Sequence, residues 1–544
     1  MDPDSTASHV GTPVEEGRRV ARATLSMSSL TVLSRVLGLA RDIAQAAVLG
    51  TGTAADAFTL AFIIPNTLRR LFGESTVSAA FVPTYTGFLL GGDTARSSRL
   101  GSGAINATAA CLAVLVTLGM VFSPLLARLF GPGFSAVPGK LELSTGLLRL
   151  LFPYVLFVGT GAVVMGILNS SRHFVTPALG PVLFNVSALG GLFGLASAWR
   201  QGSPVWGYSV GVLFGGFLQL AIQLPALRRT GFAYRLTPGF GDRDLAGVAR
   251  LALPALFGLM VAEVNVMVDQ VMASMLDPGS VAALSYGNRV MQFPLGVFAV
   301  ALATALLPTL SRQAVLGRLA EARVTLGYAT LGLALLMLPA SIYTAAFGRE
   351  IVTVLMARGA FDAESVELTT ASLVFFSAGL VFFGATKITA PVFYALKDTA
   401  TPFRIGMISM GINIPLNITL SLAFRASGFS RPVGGIALAT TLSSAANLLL
   451  LRLALRRRTG RCRGVPPRAW LAMLPATAAS AAAAVLLRGW VSASVARSLF
   501  NGLTSLLAAG VACFALQFVV FAAAGGRTAA VAWRLLTKRG PDGP

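Results

Sequence analysis

Fourteen mainly apolar stretches, each of about 20 residues or more, follow one another along the chain, and nothing else in the sequence restricts its fold as strongly. They cover approximately 27–50, 56–90, 101–126, 145–169, 177–199, 205–227, 246–276, 281–311, 323–347, 365–395, 402–424, 433–455, 469–488 and 498–524. Such a length lets an α-helix cross the hydrocarbon core of a bilayer with its backbone polar groups satisfied internally. A transmembrane β-barrel is excluded, because its strands need only about ten alternating residues. The pattern specifies an all-α polytopic membrane protein with 14 transmembrane helices. Composition agrees: 55% of residues are hydrophobic and only 12% charged, against about 25% charged in soluble chains.

The charges give an orientation. Lys and Arg number 43 against 21 Asp and Glu, a formal net charge of +22. In a soluble protein this would suggest nucleic acid. Here the cations lie mostly in short gaps between apolar runs, as in cytoplasmic loops, so no nucleic-acid partner is expected. With the N-terminus inside, the inner segments collect Arg18, Arg19, Arg22, Arg96, Arg99, Arg172, Arg228, Arg229, Arg312, Lys397 and the cluster from Arg452 to Arg468, among others. The outer gaps hold roughly threefold fewer, among them Arg128, Lys140, Arg349 and Arg431. Both termini are then cytoplasmic. The first run carries Arg35 and Arg41 and has no clean cleavage site, so it reads as a retained helix and not a signal peptide.

Several chemistries drop out. Cys111, Cys462 and Cys513 are far apart, as are His9 and His173, so neither a disulfide framework, a zinc site nor histidine catalysis is expected. No GxxxxGK[ST], HExxH or GxSxG occurs. An intramembrane glycosyltransferase would need outer carboxylates on long loops; Asp362, Glu364 and Glu367 are there, but on a short loop.

The chain also repeats itself. FVGTGAVVMGILNSSRHFVTP (157–177) aligns without gaps on FFGATKITAPVFYALKDTATP (382–402), an offset of 225 residues. At the same offset AFVPTY (80–85) falls on ALLPTL (305–310). The expected organisation is a cytoplasmic tail (1–23), a six-helix repeat (24–230), a second six-helix repeat in the same orientation (231–456), helices 13 and 14 with a basic linker (457–526), and a tail (527–544). Two parallel repeats around a central cavity are a transporter plan.

Charges inside spans mark that cavity, since a mid-bilayer Arg costs about 2.5–3.5 kcal/mol on insertion scales. Span 1 carries Arg35, Arg41 and Asp42; span 2 carries Asn66, Arg69, Arg70 and Glu74; span 7 carries Glu263 and Asp269; span 8 carries Arg289. Ser285, Asn288, Arg289 and Gln292 recur at helical spacing and form one polar stripe. Arg70 and Glu74, four apart, suit an ordinary ion pair. That leaves Arg35, Arg41, Arg69 and Arg289 in excess of nearby carboxylates, and a cationic cavity selects an anion whose oxygens fit guanidinium forks, such as phosphate. Pro65, Pro294 and Pro391 lie within spans and would allow bending. Asn413, Asn417, Thr440 and Asp269 offer oxygens suited to a hard monovalent cation, or simply hydrogen bonds between packed helices.

SRVLGLARD (34–42) followed by ADAFTLAFIIPNTLRRLFGESTVSAAFVPTY (55–85) closely resembles the MurJ (MviN) family of the multidrug/oligosaccharidyl-lipid/polysaccharide exporter superfamily. YGNRVMQFPLGVFAVALATALLPTLS (286–311) and FYALKDTATP (393–402) resemble its second-half signatures, and the likeness covers roughly 25–524. The resemblance implies a flippase that moves lipid II, the lipid-linked peptidoglycan precursor, across the bacterial cytoplasmic membrane by alternating access. Substrate would be bound by Arg35, Arg41, Asp42, Arg69 and Arg289, with Asn66, Glu74, Glu263, Asn288 and Gln292 as polar cavity lining. No cofactor is implied beyond Na+ as coupling ion at Asp269, Asn413, Asn417 and Thr440. Lipid II, membrane lipid and the peptidoglycan synthesis machinery are the implied partners. The chain departs from the family in Asn288 and Gln292, where many members are acidic, and in Asn417, where some have Asp. An exporter of another polyprenyl-linked glycan or of a drug is the alternative within the superfamily.

Overall fold

The computed structural model describes residues 13–71, 80–195, 203–237, 239, 241–459 and 465–525. Among the described residues every regular element is helical. Ten helices among the described residues are long and apolar enough to cross a membrane, or eleven when the bent pair Ala363–Ser377 and Leu380–Ala395 counts as one span. The windows at 27–50, 56–90 and 246–276 fall on Pro13–Leu49, on Thr53–Arg69 with Val82–Leu90, and on Arg243–Ser274. These helices carry most of the intramembrane charges and lie outside the set of ten.

Where a window is interrupted, the cause is local. The window 145–169 divides into Lys140–Leu151 and Pro153–Ser170 at Pro153, which has no N–H to donate. Pro294 ends the helix Ser280–Pro294; a single π turn, Leu295–Ala299, precedes Val300–Val315, and the Val300 N–H reaches back to the Leu295 carbonyl. Pro391, by contrast, lies inside an unbroken helix, Leu380–Ala395. The 50° bend of that pair comes before Leu380. There the Thr441 hydroxyl donates to the Phe375 carbonyl (2.8 Å), and the Gly379 N–H turns to Phe376 instead (2.9 Å). A diverted carbonyl, and not a proline, makes the break.

Internal contacts divide the chain into two compact units: Met1–Gln45, Ile64–Ser123 and Gly146–Leu256 form the first, and Ala46–Ile63, Pro124–Thr145 and Phe257–Pro544 the second. The first is centred on Tyr85, Leu100, Val163, Ile167 and Leu168. In the second, Leu331, Leu335 and Phe521 pack with Ala469, Ala472 and Ala476, whose small side chains let helices approach closely. Along the last two helices Val485, Leu486, Leu507 and Val511 are well exposed. Apolar faces of this extent require lipid or another partner to cover them.

Backbone detail recurs at the 225-residue spacing. Arg172 and Lys397 are the two non-glycine residues with positive φ among the described residues, at 60° and 58°. Around the first, the N–H groups of Ser171, Arg172 and His173 donate to Ile167, Asn169 and Leu168; around the second, those of Leu396, Lys397 and Asp398 donate to Val392, Tyr394 and Phe393. Gly92 and Gly317 (φ 74° and 71°) share a turn in the same way, preceding two helices of 28 residues, Thr94–Val121 and Leu319–Ala346.

Candidate functional site

In the first unit, Arg35, Arg41 and Asp42 lie on the helix Pro13–Leu49. The Arg41 guanidinium donates through Nε (3.2 Å) and Nη2 (2.8 Å) to Asp42 Oδ1 and stands 5.4 Å from the centre of the Phe184 ring. Their side chains are 18% and 17% exposed, so the pair is shielded without being sealed. Nearby, the Asn185 amide donates to the Ser34 carbonyl (3.1 Å) and the Tyr208 hydroxyl to Gln45 (3.0 Å), which tie this helix to its own unit. Arg35 is exposed and has no carboxylate within ion-pair distance among the described residues. Arg69, at the end of Thr53–Arg69, donates through Nε to Asn66 Oδ1 at 3.0 Å. Glu74 and its expected pairing with Arg70 lie outside the described residues.

In the second unit, Arg289 is half-buried on Ser280–Pro294, where the Gln292 amide donates to Asn288 Oδ1 (3.2 Å) along the predicted stripe. The N-terminus of this helix is held by a residue that sequence reasoning did not select. Asp56 accepts the N–H groups of Gly279 (2.7 Å, Oδ2) and Ala282 (2.8 Å, Oδ1), and Lys140 Nζ donates to its Oδ2 at 2.6 Å. Asp56 and Lys140 are 1% and 3% exposed. Lys140, placed by the sequence in an outer gap, is thus a buried partner and not a loop cation. Gly279 has φ 92°, a conformation glycine adopts without penalty, and this brings both N–H groups onto one carboxylate.

Also in the second unit, Asp269, Asn413, Asn417 and Thr440, read from the sequence either as cation ligands or as hydrogen-bonding partners between packed helices, are joined by hydrogen bonds. Thr440 Oγ1 donates to Asp269 Oδ2 (2.8 Å), and the Asn417 amide donates to Asp269 Oδ1 (2.9 Å) and to Asn413 Oδ1 (2.7 Å). Asn413 reaches the hydroxyl of Ser443, a member the sequence did not reveal, at 3.4 Å. Asn417 Oδ1 is buried with no hydrogen-bond partner. Glu263 is half-buried, two turns earlier on the Asp269 helix. No group of three or more His, Cys, Asp or Glu side chains could hold a metal among the described residues.

Set against known proteins, residues 45–524 match the family profile described as lipid II flippase MurJ. A Vibrio cholerae protein named probable lipid II flippase MurJ is 34% identical over 445 residues, which are 80% of this chain and 83% of that one. A Rhizobium meliloti protein of the same name is 33% identical over 530 residues, 95% and 96% of the two chains. Among solved structures, a lipid II flippase MurJ in an inward closed conformation has a similar fold, with a TM-score of 0.72 at 24% identity, covering 91% of this chain and 98% of that one.

Proposed function

Because the chain belongs to the lipid II flippase MurJ family, we propose that it carries lipid II from the inner to the outer leaflet of the bacterial cytoplasmic membrane for peptidoglycan synthesis. This is transport and not catalysis: the cargo crosses without a covalent bond being made or broken. The family match over 45–524 is the observation that carries the function. Its test is replacement of the essential flippase of a bacterium by this gene. Growth with lipid II accessible outside supports the proposal, and accumulation of lipid II inside refutes it.

The finer layout is proposed with it: fourteen helices, two six-helix repeats over 24–230 and 231–456 related by 225 residues, two additional helices within 457–526, and both termini in the cytoplasm. The matched turns at Arg172 and Lys397 support the repeat. The threefold excess of cations on one set of gaps supports the orientation. External labelling should then reach a cysteine placed at Arg431 and miss Cys462.

In the proposed mechanism Arg35, Arg41, Arg69 and Arg289 bind the diphosphate of the head group. Asp42 prepares Arg41 for that work. Its carboxylate occupies the guanidinium fork while Phe184 supports the ring-facing side, so an arriving phosphate exchanges one anion for another and does not have to desolvate a bare cation. Asn66, Glu74, Glu263, Asn288 and Gln292 are proposed as polar lining. Exchange of a carboxylate for a phosphate is reversible, as release on the far side demands. The peptidoglycan synthesis machinery that takes up the product is the proposed partner.

Sodium coupling is proposed on the Asp269 group. The donor set fits a hard monovalent cation: a carboxylate, two amide oxygens and a hydroxyl, one of them the orphaned Asn417 Oδ1. Asp269, Asn413, Asn417 and Thr440 would hold it, and it would supply charge balance that changes the packing preference of their helices. Rotating the Asn417 amide about its last torsion exchanges its N–H2 for its oxygen at Asp269. The residues thus have a closed hydrogen-bonded arrangement and a ligating one.

A further inference from the structure

The second unit has a cationic pocket apart from both groups above. A cavity of about 280 Å3 opens where the helix Leu319–Ala346 begins, the helix Pro432–Thr459 ends and the helix Pro467–Arg497 begins. Arg323, Arg452 and Arg456 line it, and among the described residues no carboxylate does. Arg452 and Arg456 have no ion-pair partner among the described residues. Arg458 on the same helix is different: it is bound to Asp398. Arg452 and Arg456 therefore bring to the pocket positive charge that no described carboxylate pairs with.

Its floor is apolar, formed by Leu326, Leu455 and Val465, with Gly327 leaving room beneath Val465. Trp470 stands at the rim, 38% exposed. From the rim an apolar face continues along both neighbouring helices, through exposed Leu449 and Leu453 on one and exposed Leu471 and Leu474 on the other. Guanidinium forks over an apolar wall, with an indole at the boundary, match a phosphodiester joined to two acyl chains. Basic pockets between spanning helices bind anionic head groups in this way.

We propose that this pocket binds an anionic glycerophospholipid of the surrounding leaflet, its phosphodiester between Arg452, Arg456 and Arg323 and its chains along Leu449, Leu453, Leu471 and Leu474. The bound lipid would add a link between three helices at this end of the unit. The assignment is independent of the transported substrate.

The test uses the full chain in phosphatidylcholine vesicles containing phosphatidylglycerol, with bromine on the acyl chains of one lipid or the other. The Trp470 signal is isolated by difference from Trp470→Phe. Bromine on phosphatidylglycerol should quench it with roughly fivefold preference per molecule, the scale of one basic side chain near an anionic surface. The preference should vanish in Arg452→Gln/Arg456→Gln and survive in large part in Arg452→Lys/Arg456→Lys, which keeps the charge and controls for folding. Equal quenching by the two lipids overturns the proposal, as does an unchanged preference in the glutamine variant. A short-chain polyprenyl diphosphate that relieves the quenching would also overturn it, by assigning the pocket to the cargo.

Discussion

Asp42 and Asp56 lie on consecutive helices, each beside a cation, and they serve opposite purposes. Asp56 is sealed: three donors from two other segments converge on it, and it is 1% exposed. Asp42 takes Arg41 from the next position in the chain and keeps 17% of its side chain exposed. A buried charge that loses its partner has nowhere to find another, so Asp56 fixes a helix end. A pair of adjacent, partly exposed residues opens at little cost, because water or another anion replaces the carboxylate. Burial distinguishes the two carboxylates, one sealed and one open to exchange, although both appear in sequence as an Asp in an apolar run.

The largest consequence of that contrast is for stability. Asp56→Ala should cost about 3–5 kcal/mol, since it leaves Lys140 buried with no counter-charge, whereas Asp42→Ala should cost less, because Arg41 keeps 18% of its side chain exposed. Thermal unfolding of the purified proteins reads this difference, and equal melting temperatures would break the comparison. Next comes activity. Replacing Arg35, Arg41, Arg69 or Arg289 by Ala should leave the protein in the membrane but lower lipid II delivery roughly thirtyfold, the loss of a charge-assisted hydrogen bond worth about 2 kcal/mol. Arg41→Lys should recover only part, because an ammonium lacks the fork. Wild-type delivery by all four Ala variants would end the exchange idea.

The third test asks on which side of the contrast Asp269 belongs. If it exchanges its Asn417 and Thr440 donors for sodium, flipping in proteoliposomes should be faster in sodium than in potassium by about fivefold or more, a coupling of about 1 kcal/mol. Asp269→Asn should be indifferent to the salt. Equal rates for wild type in both salts would class Asp269 with Asp56. The smallest effect serves as a control for charge removal: Lys397→Gly deletes an exposed cation yet relieves a left-handed backbone, so it should stabilise by about 0.5–1 kcal/mol. A loss of stability there would mean that inner-loop charge contributes to the fold.

Helices were legible in the sequence because lipid enforces a length, and the like turns at Arg172 and Lys397 were legible because their residues are similar at one offset. The Asp269 group was legible in part: Asn413 and Asn417 declare a shared face by their spacing, while Ser443 looks like any small polar residue in a packed helix. Asp56 was not legible. Its partners are a lysine 84 residues away and two backbone N–H groups that carry no side-chain signature. Arg41–Asp42 was missed for the opposite reason, since neighbours in sequence do not face each other on an ideal helix; a long guanidinium arm closes that gap. The bend before Leu380 carried no proline to announce it, because the carbonyl at the break is taken by a hydroxyl from another helix.

The π turn after Pro294 contains one residue more than an α-helix would use over the same rise. In effect it is an insertion that the helix has absorbed without unravelling: about five residues of such a turn sweep the angle that about four α-helical residues do, so the flanking segments keep their bearings. Removing a single residue from 295–299 would therefore let the helix close in ordinary register while the face bearing Arg289 kept its azimuth relative to Val300–Val315. Such a deletion keeps every charge in the chain and its compass bearing and removes only the slack, so it separates the aim of Arg289 from the ease with which its helix can re-register.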